Sequence, residues 1–201
     1  MGENVNVPVY IFKNISDKYL SLNASYTQLM YWQFYADSQY FRETNYEPEI
    51  FIKYLLQKNT ELQVGVNHQS NGRGGILERS WNRLFAELAV SGQCWLAKLK
   101  VWNLIAKSSS SDLHNPDIAK FLGYENLLLS WKIKDVILTA EFQNIESGLK
   151  RGFYMLSASY PITNNLAIYG QFFDGYGQSL IEYNHKTKSF GIGIKLNDFI
   201  D

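Results

Sequence analysis

The stretch ELQVGVNHQSNGRGG, residues 61–75, decides how the chain is read. As a β-strand its side chains alternate, so Leu62, Val64, Val66, His68 and Ser70 line one face while Glu61, Gln63, Gly65 and Asn67 line the other. The first face is apolar and ends in an imidazole and a hydroxyl. SNGRGG then supplies turn chemistry.

The same two-residue period recurs along nearly the whole chain. Leu20, Leu22, Ala24, Tyr26, Met30 and Trp32 oppose Ser21, Asn23, Ser25 and Thr27, and Tyr46, Ile50, Ile52, Tyr54 and Leu56 oppose Asn45, Glu47, Glu49 and Lys53. Trp95, Ala97, Leu99 and Val101 oppose Lys98 and Lys100, and Phe190, Ile192, Ile194 and Leu196 oppose Gly191, Gly193 and Lys195. About eleven such segments are visible, several near the ~9–11 residues of a tilted membrane-spanning strand. Turn sequences separate them, such as KNIS (13–16), QKNT (57–60), KIKD (132–135), PITNN (161–165) and HKTK (185–188).

Alternation alone fits a soluble sandwich with its apolar face inward as well as a barrel with its apolar face in lipid. The polar faces carry both Glu and Lys, which can satisfy one another in a lumen, and the chain holds 14 Tyr and 5 Trp, residues that collect at membrane interfaces. The expectation is an all-β, antiparallel transmembrane β-barrel forming a single domain over residues 1–201, with one longer polar loop at 107–116.

Composition removes other classes. A net charge of +0 and a pI near 6.8 lack the electrostatic footprint of a nucleic-acid binder. One cysteine, Cys94, excludes an intrachain disulfide framework, and no Cys/His spacing suggests zinc. No apolar run approaches the ~20 residues of a membrane helix. GENVNVP after Met1 lacks the basic start and apolar stretch of a signal peptide, so export is not readable from the N-terminus. Cys94 reads as a small residue of the barrel wall.

His68 and Ser70 project to one side of their strand about 6.5 Å apart at the backbone, close enough for the side chains to meet. Serine is a weak nucleophile until a neighbouring base takes its proton, and imidazole suits that task. In the next strand, SWNRLFAELAV, Asn82 continues the apolar stripe of Leu84, Ala86 and Leu88. Antiparallel pairing through the intervening loop makes it a cross-strand neighbour of His68, completing a Ser/His/Asn set on the outer wall. His-x-Ser alone is a common pattern, and NG and GG mark ordinary turns as well as active sites. The placement of all three at the top of an apolar stripe is the stronger signal.

These residues carry a resemblance. NHQSNGR (67–73) and RSWNRLF (79–85) match the signature of the outer-membrane phospholipase A family. So do ASYTQ (24–28), YWQ (31–33), FRETNYEP (41–48), NPDIAKFLGY (115–124), SYPIT (159–163), GYGQSLIEYN (175–184) and LND (196–198). The resemblance implies a twelve-stranded antiparallel barrel of the bacterial outer membrane, a calcium-dependent hydrolase of phospholipid acyl esters, active as a homodimer. By resemblance Ser70 is the nucleophile, His68 the base and later acid, Asn82 the group that orients the ring, and the Gly72 amide a donor to the oxyanion. The Arg73 carbonyl is a calcium ligand, joined by Ser38 of the partner subunit. Gln28, an amide on an apolar face, marks the dimer contact.

Two features depart from the family. Where its pattern offers calcium a serine hydroxyl, this chain has Glu78, a harder and charged donor. The twelfth strand, expected first in the chain, is not visible among the eleven segments. Three further readings are separable by experiment. A passive porin-like barrel swells liposomes without hydrolysing lipid, a soluble ligand-binding β-domain needs no detergent, and a shortened, inactive barrel fails heat-modifiability in detergent.

Overall fold

The structure, a computed structural model, describes the backbone of residues 2–17 and, with their side chains, residues 19–33, 37, 40–105 and 114–196. Eleven strands form one sheet in chain order, each antiparallel to the next: β1 (Gly2–Asp17), β2 (Leu20–Trp32), β3 (Phe41–Gln57), β4 (Thr60–Ser70), β5 (Ser80–Ser91), β6 (Trp95–Leu104), β7 (Glu125–Ile133), β8 (Val136–Gln143), β9 (Phe153–Pro161), β10 (Leu166–Tyr176) and β11 (Lys186–Leu196). A short helix, α1 (Ile118–Leu122), lies between β6 and β7. The strand count agrees with the segments read from the sequence. The twelfth strand implied by the resemblance is not among the described residues, where no pairing joins β1 to β11.

Side-chain exposure decides the topology that alternation left open. On one surface Ile50, Ile52, Val64, Val66, Leu84, Leu99, Phe190 and Ile194 all stand exposed. On the other, Asn67, Arg83, Phe85 and Glu43 are buried. The sheet curls around that second surface: Lys100 on β6 reaches Glu49 on β3, across the two intervening strands β4 and β5. Apolar outward and charge inward is the arrangement of a membrane barrel, in which lipid replaces the core that a sandwich would need. No helix among the described residues is long and apolar enough to cross a membrane.

The two ends of the cylinder differ. Short turns join β3 to β4 and β7 to β8, whereas residues 71–79, 114–124, 144–152 and 177–185 belong to longer connections at the opposite end; of the polar loop expected at 107–116, residues 107–113 lie outside the described residues. Exposed aromatics mark both rims, Tyr19, Tyr54, Trp95, Trp131 and Tyr160 beside the turns, and Trp32, Tyr40, Phe41 and Tyr124 beside the long loops. Trp81 and Trp102 face inward instead. With Phe85 they pack against Ile118 and Leu122 of α1 and against Leu180 and Tyr183, so that two loops plug the mouth of the barrel with an apolar cluster. The Tyr183 hydroxyl donates to Asp117 at 2.6 Å, and burial, its largest cause, pushes the phenol pKa up to about 12.

Three local expectations are corrected. KNIS is not a turn: β1 runs through it to Asp17, with register shifts that absorb the irregular stretch after Val9. HKTK is largely strand, since β11 begins at Lys186. Cys94 lies exposed in the β5–β6 turn rather than in the wall.

Candidate active site

The register of β4 on β5 sets His68 opposite Asn82, Ser70 opposite Ser80, and Asn67 opposite Arg83. Since Val66 and Leu84 face outward, His68, Ser70 and Asn82 share the lipid side, each half-buried. The His68 Nδ1 atom lies 2.7 Å from the Asn82 Oδ1 atom. With the side-chain oxygen of asparagine able only to accept, this contact puts the imidazole proton on Nδ1 and leaves the Nε2 lone pair free to take a proton. Ser70 follows two residues on, on the same face and at the strand's end.

Behind this row, one strand thickness away, the inward side chains of the same strands form a bonded lattice. Arg83 donates from Nε to Asn67 Oδ1 at 2.7 Å and from Nη2 to Glu47 Oε1 at 2.6 Å. Asn67 Nδ2 donates to both Glu47 and Glu49, and Trp81 Nε1 donates to Gln69 Oε1 at 2.6 Å. The Arg83 guanidinium is stacked 4.2 Å from the Trp81 ring and 5.3 Å from Trp102. Asn67 and Gln69 flank His68 in sequence, and Trp81 and Arg83 flank Asn82. The interior lattice therefore holds the pleat and register on which the outer row depends.

The loop after Ser70 is organised by Asn71, which is buried. Its Oδ1 accepts the amides of Arg73 (3.3 Å) and Arg79 (3.0 Å), and its Nδ2 donates to the Leu77 carbonyl at 2.8 Å. Gly72 sits at φ +64, where a Cβ would stand 2.8 Å from Tyr46 Cε2. Only glycine meets both demands without strain. Across the loop, the Asn115 amide brackets Ser80, accepting its N–H at 3.1 Å and donating to its carbonyl at 2.8 Å. Asn115 is completely buried, and sequence reasoning gave it no role. The signal available was its Asn-Pro step just ahead of a short apolar run, a loop anchor rather than a reactive group.

The expected metal donors are partly assembled. Arg73 and Glu78 belong to this one loop. The Arg73 guanidinium points away to β3, pairing with Glu43 at 3.2 Å and donating to the Arg42 carbonyl. Its main chain remains in the exposed loop. Glu78, half-buried, caps the Gly75–Leu77 turn through its amide, and its own carbonyl accepts from Arg79 at 2.6 Å. Among the described residues no three His, Cys, Asp or Glu converge. A carbonyl and a carboxylate are hard oxygens of the kind calcium takes, but they supply two of the 6–8 that it requires, so the loop fits calcium only with added water or donors from a second subunit. Ser38 lies outside the described residues.

Gln28 accepts a hydrogen bond from Tyr26 at 2.9 Å, so its carbonyl already has a partner on the lipid-side face. It pairs with Tyr46 on β3, and Tyr46 pairs with Ser70 on β4, so Gln28 and the serine stand in one row across three strands. A surface at Gln28 adjoins the site.

The chain matches the family model described as Phospholipase A1 over residues 4–196. It is 39% identical over 186 residues to the phospholipase A1 of Klebsiella pneumoniae, covering 88% of this chain and 63% of that protein. The Escherichia coli (strain K12) phospholipase A1 is likewise 39% identical over 186 residues, covering 88% of this chain and 62% of its own length. The chain thus spans about three fifths of the length of these curated relatives. Among solved structures, the Salmonella typhi outer membrane phospholipase dimer with bound calcium superposes with a TM-score of 0.88 at 35% identity, covering 98% of this chain and 78% of that one. The outer membrane phospholipase A from Escherichia coli gives 0.88 at 35% identity, covering 99% and 84%.

Proposed function

The chain belongs to the phospholipase A1 family, and from that premise we propose that it hydrolyses acyl esters of phospholipids from the lipid-facing wall of an outer-membrane barrel. The observation that carries this reading is the 2.7 Å contact between His68 and Asn82 on the outer surface, with Ser70 two residues away. An imidazole so held serves little purpose in a wall that only meets lipid.

Ser70 attacks the ester carbonyl as the Nε2 atom of His68 takes its proton, and the carbon becomes tetrahedral. Asn82 keeps the ring aligned through Nδ1 without adding negative charge, and the Gly72 amide donates to the developing oxyanion. Collapse expels the lysophospholipid alkoxide, which takes the proton back from His68 and leaves an acyl ester on Ser70. A water molecule, deprotonated by the same imidazole, then releases the fatty acid and restores the hydroxyl. Substrate and both products can stay at the membrane surface. Because the row lies at the long-loop end, the leaflet served is the outer one.

Calcium, held by the Arg73 carbonyl, the Glu78 carboxylate and an oxygen of Ser38 from a partner subunit, would supply positive charge beside the oxyanion. The Salmonella typhi relative is a dimer with bound calcium, and dimerisation of this chain through the Gln28 surface would complete the donor set. Activity then depends on assembly as well as on the metal. The deciding experiment is calcium-dependent release of fatty acid from phospholipid in mixed micelles by the purified protein and by Ser70→Ala. The wild type should turn over and the variant should not; equal rates would remove Ser70 from the reaction.

A further inference from the structure

Glu43 on β3 is fully buried yet lies away from the catalytic row, and it touches two separate loops. Its Oε1 accepts the Asn45 side-chain amide at 2.9 Å and the Ile181 N–H at 3.2 Å. Its Oε2 faces Arg73 Nε at 3.2 Å and makes no hydrogen bond of standard geometry among the described residues. Asn45 accepts the Leu180 N–H at 2.9 Å, and Arg42 pairs with Glu182 at 2.6 Å. Residues 42–45 thus bind the 177–185 loop on one side and Arg73 on the other.

We propose that Glu43 is a positioning residue for the Gly72–Arg73 backbone, fixing it by clamping the Arg73 guanidinium to β3 and tying it to the 177–185 loop. The inference rests on the preceding reading only for the work that this backbone does. The physical ground is the burial of the carboxylate. A carboxylate without exposure needs its cation, so Arg73 cannot swing out without leaving a bare charge behind. Arg73 has a long, otherwise mobile side chain, and its second anchor is the Arg42 carbonyl, next to Glu43 in sequence. With the guanidinium held at both points, the carbonyl of Arg73 and the amide of Gly72 lose the freedom that an exposed glycine-rich loop would have. Loop and β3 are also in contact at Gly72 and Tyr46, so the clamp closes against a surface that is already fitted.

Two readouts test this on the full-length protein in detergent. Trypsin cuts after Arg73 only if the guanidinium leaves its clamp, so Glu43→Gln should speed cleavage of the Arg73–Gly74 bond about 10-fold or more, leaving cleavage elsewhere unchanged. Calcium titration by calorimetry should show Glu43→Gln binding about 10- to 100-fold more weakly, the loss expected when a supporting partner of a ligand is removed. At saturating calcium its turnover should return toward the wild-type rate, which general structural damage would not allow. Wild-type cleavage and wild-type calcium affinity in Glu43→Gln would overturn the assignment. If that variant does not fold, Arg73→Met keeps the carbonyl and removes the clamp; it should weaken calcium binding to the same degree, and an unchanged affinity would overturn the assignment equally. If the wild type hydrolyses no lipid, the functional reading falls, while the trypsin result still decides the clamp.

Discussion

His68 and Asn82 face one another directly across the β4–β5 ladder, with Nδ1 and Oδ1 2.7 Å apart, on the surface that the barrel turns to lipid. The orientation of the ring is thus set by a neutral acceptor at the edge of a low-dielectric medium. A carboxylate there would pay a desolvation cost that an amide avoids. Replacing Asn82 with alanine leaves the strand pairing intact but frees the ring to rotate. General-base catalysis contributes 10²–10⁴-fold, so Asn82→Ala should lower kcat by about 10- to 100-fold with little change in KM. Micellar phospholipid kinetics check this, and a fall confined to KM would make Asn82 a binding residue instead.

Gly72 bears two constraints at once, a left-handed φ of +64 and the ring of Tyr46 where a side chain would go. Alanine there strains the backbone by about 1–2 kcal/mol and pushes the loop off Tyr46. Gly72→Ala should therefore lose most of its turnover while its gel mobility on heating in detergent stays that of a folded barrel. Adding Tyr46→Leu relieves the steric part alone. A double variant as slow as the single would show that φ dominates.

The alternation in residues 61–75 was enough to place His68 and Ser70 on one face, and the same period in SWNRLF placed Asn82 with them, because a strand has only two sides. Alternation could not say which side meets lipid, since a sandwich has the same period. What decides it is non-local: Lys100 meeting Glu49 across two intervening strands, and Ile50, Val66 and Leu84 left without cover. The plug was not legible at all. Ile118 and Leu122 are four residues apart and Leu180 and Tyr183 three, each pair too brief to stand out as a helical face, and they become a cluster only after two distant loops fold into the barrel mouth. Glu43 stood in the sequence only as part of FRETNYEP and drew no role, because its partners Arg73 and Ile181 come from residues far along the chain.

Arg83 lies inside the wall, bonded to Glu47 and Asn67 and set over the rings of Trp81 and Trp102. Its side chain is 8% exposed and that of Glu47 23%, so the pair is largely cut off from water. Arg83→Met leaves Glu47 without its cation, a loss of about 3–5 kcal/mol. Guanidinium unfolding in detergent should show it. Combining Arg83→Met with Glu47→Met removes the stranded charge and should recover much of the stability. Hydrolysis by the double variant should still fall, because Asn67 and Gln69 no longer hold the strand beneath His68.

The carboxyl of Glu182, in the 177–185 loop, is held below its usual range, chiefly by the hydrogen bond from Arg42, with desolvation opposing. A carboxyl with a lowered folded pKa stabilises the fold above the unfolded value of about 4.3, and that contribution disappears as pH falls through the folded pKa. The sign follows because the unfolded chain takes up the proton first. Both side chains are about a third exposed, so solvent and salt keep the contribution small. Thermal midpoints followed from pH 7 to 3 should drop more for the wild type than for Glu182→Gln, the two curves converging at the acid end. Tyr183, beside it, has its pKa pushed up to about 12 and keeps its proton over this whole range. The acid effect at Glu182 is therefore expected to loosen the loop at Arg42 first, which hydrogen exchange at the Leu180 and Ile181 amides would register; unchanged protection of both amides at pH 4 would rule that order out.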